Sequence, residues 1–484
     1  MRRQILWVSR GKRLFACSLR CLALLAATAE LNAAEPQPNP DVTFHARPKP
    51  LPAGAVTSDW CCMLGPSHNG VCSETKLLKE WPADGPTIVW ELKHGAGYSS
   101  PAVSGDRLVY FHRVENKEVV ECLLADNGLP VWKFGYETDY RDRFGYNNGP
   151  RCSPVIDDNR VYTFGAAGML HCLKMDRAGE VVWKHDILSE FKLSPNFFGV
   201  GSTPLIEGGL LIVNVGAGVG QSVIAFDKLT GKQVWAAGDW GPSYASPVPA
   251  DIHGKRRVLV FAGGESNPPA GGLLCIDPAN GALDFAFPWR SSSFESVNAA
   301  MPTIVENQVF VTASYGTGGA LVDISPDFKA TQAWKTTELG AHVTTSIHRD
   351  GYLYGIDGRH PEQAKLTCLE LKTGKTLWRD ALTWTETVDF HGEKHAKTRG
   401  IGRASLLVIE GGRVLCLGEY GDLLSLEISP EGCKVVQRVR LFDAPESWSP
   451  LVISRGLLYA TQNYPDLTTK AAPRLICYDL RAAQ

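Results

Sequence analysis

The stretch Ser153–Trp183, SPVIDDNRVYTFGAAGMLHCLKMDRAGEVVW, decides the fold. It divides into four short β-branched or apolar runs, PVI, RVYTF, MLHCLKM and EVVW. Asp157-Asp158-Asn159, Gly165-Ala166-Ala167-Gly168 and Asp176-Arg177-Ala178-Gly179 separate them, and these residue types tolerate turn dihedrals. No run is long enough to be a helix with its own buried face. The spacing predicts a four-stranded meander, too small to bury both of its faces without neighbours like itself.

Those neighbours are present. Ser/Thr-Pro at the head of a strand recurs at Ser100-Pro101, Ser153-Pro154, Thr203-Pro204, Ser246-Pro247 and Ser449-Pro450. Met301-Pro302 is a variant, and Ser346 and Leu407 hold the same place without the proline. That makes about eight units at irregular spacings of roughly 43 to 61 residues, within the range of propeller blades. Each unit closes on a turn Gly with a large apolar residue four positions on: Gly128/Trp132, Gly179/Trp183, Gly231/Trp235, Gly281/Phe285, Gly374/Trp378 and Gly432/Val436. The fifth unit keeps Trp334 but has Ala330 for the Gly. Gly turns the chain at positive φ, and the Trp covers apolar area at the seam between sheets.

The last unit stops after Leu475–Asp479 with no fourth strand, while Ile88–Leu92, carrying Trp90, belongs to no preceding unit. The N-terminal strand is therefore expected to pair with the C-terminal strands and close a ring, leaving no open hydrophobic edge. The predicted fold is an all-β, eight-bladed β-propeller of four-stranded antiparallel blades spanning 58–484.

Composition excludes other classes. Forty-nine basic and 51 acidic residues give a net charge of −2, which does not suit a nucleic-acid binder. Arg2, Arg3, Arg10, Lys12 and Arg13 precede the mostly apolar Leu14–Ala29, so 1–34 reads as an export signal cleaved at Ala29 or Ala34. Beyond it no apolar run reaches the ~20 residues a membrane span needs. The Pro-rich stretch 35–57 reads as an extended tether. The expected compartment is the periplasm or the extracellular space, and the expected state a monomer.

Of the 13 cysteines, Cys122, Cys172, Cys275, Cys368 and Cys477 share one blade position, too far apart to bridge, and read as small buried apolar residues. Cys17 and Cys21 leave with the signal. Cys61, Cys62 and Cys72 form the one local group able to pair, with Cys72 bonding one of the other two.

The string Asp59-Trp60 … Gly65-Pro66-Ser67-His68-Asn69-Gly70-Val71, with Trp81-Pro82 and Trp90, resembles the opening of exported bacterial PQQ-like β-propeller repeat proteins. The repeats FDKLTGKQVW (226–235) and LELKTGKTLW (369–378) resemble that family's A-x-D-x-x-T-G-K-x-x-W motif. The resemblance implies eight blades with the first strand innermost and the Trp strand outermost. It covers quinone-dependent dehydrogenases as well as the non-catalytic scaffold of outer-membrane protein assembly.

A quinone dehydrogenase needs a Ca²⁺ cage of oxygens, a carboxylate base and flat surfaces clamping the quinone. The family's enzymes clamp with a disulfide between adjacent cysteines. Cys61-Cys62 has that form but precedes the first blade. The mouth of the ring is expected where the chain enters each innermost strand, at Tyr98, Arg151, Ser202, Tyr244, Asn298, His342, Arg403 and Trp448. That set holds no carboxylate, so PQQ and Ca²⁺ are not expected, and an anionic or aromatic ligand suits it better.

Other signals are weaker. Gly216-Ala217-Gly218-Val219-Gly220 and Gly316-Thr317-Gly318-Gly319 lie between strands and read as hairpin turns. Asp389, His391 and His395 would offer metal ligands if 385–402 were helical, and otherwise form a solvated loop. Tyr140-Arg141-Asp142-Arg143-Phe144 reads as an exposed charged loop or a partner contact. No catalytic triad order stands out. The functional expectation is a non-enzymatic binding or scaffolding protein of the envelope, holding a protein or peptide partner. The alternatives are a PQQ-dependent alcohol or sugar dehydrogenase and a carbohydrate-binding propeller that stacks sugars on Tyr98, Tyr244 and Trp448.

Overall fold

A computed structural model describes residues 39–483 apart from 177–178, 297 and 391–392. The leader 1–34, the start of the Pro-rich stretch, the centre of the 176–179 turn and His391 lie outside the described residues, as does the side chain of Asp389.

Eight antiparallel sheets form the propeller blades. The stretch that opened the reading is blade 2, with strands Val155–Asp157, Arg160–Phe164, Met169–Lys174 and Val181–Asp186 hydrogen-bonded in sequence order. Blades 1 and 3 to 7 repeat it, starting at Ala102, Leu205, Val248, Thr303, Ile347 and Ser405. Blade 8 closes the ring. Its strands Val452–Ser454, Leu457–Thr461 and Arg474–Asp479 are completed by Thr87–Lys93 from the other end of the chain, with Trp90 opposite Cys477. Val42–Phe44 then adds a fifth strand, so the described part of the Pro-rich stretch docks on blade 8.

The seams explain the Gly/Trp signal. Each outer-strand indole N–H donates to a turn carbonyl of the next blade: Trp90 to Ala125 (3.0 Å), Trp132 to Met175 (2.7 Å), Trp183 to Lys228 (3.1 Å), Trp235 to Pro278 (2.9 Å), Trp334 to Leu371 (2.7 Å) and Trp378 to Ser429 (2.8 Å). At five of these six seams the turn Gly of the next blade lies flat on the same ring; Gly432, after Trp378, does not. A Cβ on Gly231, at φ +73°, would meet Trp183 at 2.7 Å. The glycine is thus required twice, for its backbone angle and for the close approach.

The Ser/Thr-Pro signal is also a joint between blades. The Ser100 amide donates to the Ser153 hydroxyl (3.1 Å), Ser153 to Thr203 (3.0 Å), and Thr203 to Ser246 (3.0 Å). A ladder of hydroxyls around the axis thereby satisfies buried amides.

Two features depart from the sequence reading. Cys61, Cys62 and Cys72 are free thiols, so the expected pairing is not made. Cys72 packs in the core around blade 8, whereas Cys61 packs against blades 1 and 2 and Cys62 against blades 2 and 3. The insertion after blade 6 is not helical. It is a hairpin, Trp384–Phe390 paired with Glu393–Arg399, and His395, on its second strand, lies 3.6 Å from Glu393.

Candidate functional site

The segment following the Pro-rich stretch plugs the ring from the end opposite the mouth. Trp60 pairs with Val103 of blade 1, Cys61 accepts from Ile156 of blade 2 (2.8 Å), and Gly70 and Cys72 bond Val408 of blade 7. Leu64 and Met63 pack on Val248, Met301 and Ile304. The buried Glu74 fixes this segment by accepting from the amides of Ser58 (2.8 Å), Arg455 (2.6 Å) and Gly456 (2.7 Å).

Above the plug lies a cavity of about 180 Å³. Met63 contributes to its wall, with Tyr98, Arg151, Tyr244, His342, Arg403 and Trp448 from the entrances to six inner strands. The structure thus brings together six of the eight expected mouth residues. Ser202 and Asn298 are not among them, because both are built into the joints between blades. Ser202 is buried and donates to Ala245 (3.0 Å); Asn298 is buried and donates to Ala262 (2.8 Å) and Trp289 (3.3 Å). Tyr146 and Phe198, which the sequence did not single out, complete the aromatic wall.

The wall is a stack. Tyr98 lies parallel to Trp448 at 5.3 Å, and the Arg403 guanidinium sits 4.2 Å from the Trp448 ring centre, within cation–π range. Arg151 sits 5.5 Å from Tyr98 and 5.0 Å from Tyr140. Phe198 touches both Tyr146 and Tyr244, and its amide donates to the Tyr244 hydroxyl (2.6 Å).

Among the described residues no carboxylate lines the cavity, but three stand directly behind it. Asp142, fully buried, pairs with Arg151 at 2.9 Å. Glu419 accepts from Arg403 (2.9 Å) and from the Trp448 indole (3.0 Å). Glu446 accepts from the Tyr98 hydroxyl. Burial raises the Glu446 carboxyl, and the Tyr98 bond offsets only part of that. Sequence reading placed none of the three at the mouth, because they come from loops rather than strand entrances, although it singled out the loop that holds Asp142. The available signals were their short distances in sequence from mouth residues, Asp142 before Arg151 and Glu446 before Trp448. In 140–144, read as an exposed charged loop or a partner contact, Tyr140 and the Asp142 side chain are buried, while Arg141, Arg143 and Phe144 (55%) are exposed.

His342 differs from the rest of the wall. Both of its ring nitrogens are buried without a partner, as is Nε of both Arg151 and Arg403. Burial, with Arg403 and Arg359 nearby, holds the imidazole at about 3, so it is neutral at physiological pH. The cavity therefore presents aromatic faces with donor groups and one neutral imidazole.

A chain of eight four-stranded blades, with outer-strand tryptophans at the seams and a plugged, aromatic-walled mouth, defines a PQQ-like β-propeller. The sequence profile of the family described as outer membrane protein assembly factor BamB matches residues 116–380, and the chain belongs to that family. Among solved structures it is similar to BamB from Moraxella catarrhalis (16% identity, TM-score 0.54, covering 83% of this chain and 99% of that one). It is also similar to a europium-containing methanol dehydrogenase (11%, 0.58, 87% and 98%) and to quinohemoprotein alcohol dehydrogenase from Comamonas testosteroni (11%, 0.56, 88% and 81%). At these identities the likenesses show the fold. No curated protein matches the chain.

Proposed function

We propose that this chain is a non-catalytic binding propeller of the cell envelope that holds a partner or ligand at its mouth. One observation carries the reading: each carboxylate beside the cavity is committed to a wall side chain. Asp142 neutralises Arg151, Glu419 holds Arg403 and Trp448, and Glu446 holds Tyr98. A general base must reach the proton it abstracts, and these three face the back of the wall.

The fold family includes enzymes that work with PQQ and Ca²⁺. Calcium takes six to eight oxygen ligands, several of them carboxylates. Here the three candidate carboxylates stand behind three different wall groups, and among the described residues no group of three His, Cys, Asp or Glu side chains could hold a metal. The residues present do not fit the calcium–quinone pair, and no step is derived through it. The envelope assignment rests on the family and on the basic, then apolar, leader of the sequence. Among the described residues no helix is long and apolar enough to cross a membrane.

The exposed rim supports a macromolecular partner. Phe144 and Phe294 are 55% and 44% exposed and are linked through the buried Phe197 at 5.9 and 5.4 Å. A photo-crosslinking amino acid at Phe144 is expected to trap one discrete partner in the native host, with the yield falling when Trp448→Ala is added. The same probe at Val234, on the outer strand of blade 3, is expected to trap none. Equal capture from both positions would overturn the reading.

A further inference from the structure

The mouth cavity holds a cationic donor that nothing in the protein uses. Arg403 lines the cavity, and Glu419 accepts from its Nη2 (2.9 Å) and from its backbone amide (3.1 Å). Its Nε is buried. Its Nη1 is neither buried nor bonded among the described residues, which leaves it as a free guanidinium donor with accessible surface. A guanidinium presents its donors in a rigid plane that matches the two oxygens of a carboxylate.

The donor is fixed in place before any ligand arrives. Contacts run in a row from Arg403 to Trp448 (4.2 Å), from Trp448 to Tyr98 (5.3 Å, stacked) and from Tyr98 to Arg151 (5.5 Å). Glu419 behind Arg403 and Asp142 behind Arg151 pin the two ends of the row. A donor held in this way loses little freedom when it binds.

The charge on that side of the cavity is of one sign. Arg359 lies 4.3 Å from the Tyr315 ring centre, and Tyr315 meets His342 of the cavity wall edge-on at 5.8 Å. Arg359 makes no hydrogen bond or ion pair among the described residues. The acid beside it in sequence, Asp357, is held by Arg379 and by the Gly340 amide (2.8 Å). The His342 imidazole feels Arg403 and Arg359 together, with no carboxylate offsetting them there. An anion entering beside His342 therefore meets a positive field.

The rest of the wall selects what carries the anion. Tyr146, Phe198, Tyr244 and Trp448 offer ring surface, and aromatic pairs gain energy beyond the area they bury. At about 180 Å³ the cavity lies below the ~300 Å³ lower end of drug-sized sites. One ring fits within it, and a fused-ring tricarboxylate such as PQQ does not.

We propose that the mouth binds a one-ring aromatic monocarboxylate, with its ring against the aromatic wall and its carboxylate on Arg403 Nη1, and with Arg359 drawing it in. This rests on the mouth being the binding site and names the class of ligand that the site takes.

Saturation-transfer NMR on the purified protein tests it with benzoate, 4-hydroxybenzoate and phenylacetate, each titrated beside its neutral amide. At least one acid is expected to bind, about tenfold tighter than its amide, the effect of one charged hydrogen bond. Arg403→Gln is expected to remove that preference, weakening the acid about tenfold and the amide less than about twofold. Arg359→Gln is expected to weaken the acid about threefold, as for a partly exposed charge. Trp448→Ala is expected to weaken acid and amide alike, and far-UV circular dichroism establishes that each variant is folded. The proposal is overturned if no acid binds, if acid and amide bind equally, or if Arg403→Gln leaves the preference intact. Where Arg403→Gln does not fold, Arg359→Gln decides in its place. If such a failure comes while the Phe144 crosslink still depends on Trp448, it strikes the ligand class alone; if Phe144 and Val234 also trap equally, the mouth reading falls with it.

Discussion

The seams and the mouth are built from the same repeat, yet they use it in opposite ways. At the seams one residue type does one job around the ring, since the indole N–H reaches the next blade's turn and the turn Gly lies on the indole. At the mouth the equivalent entrance positions differ in nearly every blade: Tyr98, Arg151, Tyr244, His342, Arg403, Trp448. Repetition is where the stability resides, because six of the eight seams bury an indole with the same hydrogen bond. Variation is where recognition resides, because a ligand reads differences and not a pattern.

The comparison can be broken most directly with two tryptophans. Trp90 is fully buried at the closure, whereas Trp448 lines the mouth cavity. Trp90→Ala is expected to cost about 3–5 kcal/mol in urea unfolding, the range for deleting a buried aromatic. Trp448→Ala is expected to cost less than half as much. Equal costs would mean that the mouth is as structural as the seam.

A smaller effect comes from within blade 1. His112 Nε2 lies 3.0 Å from Glu121, and Lys133 reaches the same carboxylate at 2.7 Å. Burial alone would raise this carboxyl, but the bonds from His112 and Lys133 outweigh it and hold it at about 2, below its ordinary 4.5. A depressed carboxyl stabilises the fold above its unfolded value and loses that contribution as the pH falls from about 4.5 towards 2. Glu121→Gln is therefore expected to flatten the acid limb of the stability–pH profile by about 2 kcal/mol. An unchanged acid limb would mean that this buried cluster does not contribute to stability.

The smallest expected effect sharpens the role of the ladder. Ser153→Ala leaves the Ser100 amide without its 3.1 Å partner. It is expected to cost about 1 kcal/mol, measured by thermal unfolding.

What the sequence disclosed follows the same division. Gly231 and Trp235 sit in one short motif, so a seam could be read locally, and the orphan Trp90 gave the closure. The seam's geometry was not local, because Gly231 lies on Trp183 of the preceding blade rather than on its own Trp235. The plug was named only as a resembling string. It has no strand period, and its partners, Val103 and Val408, lie far apart in the chain. The mouth's aromatic and cationic wall was legible from the strand entrances. Its carboxylates were not, since Asp142, Glu419 and Glu446 reach it from loops of different blades.

The claim that the mouth binds without redox chemistry has a direct assay. Purified protein is given PQQ, Ca²⁺ and a panel of alcohols and sugars, and reduction of an artificial electron-accepting dye is followed by absorbance. The account predicts no substrate-dependent reduction, with any PQQ binding seen by calorimetry indifferent to Ca²⁺. Dye reduction that requires substrate, PQQ and Ca²⁺ together would contradict it.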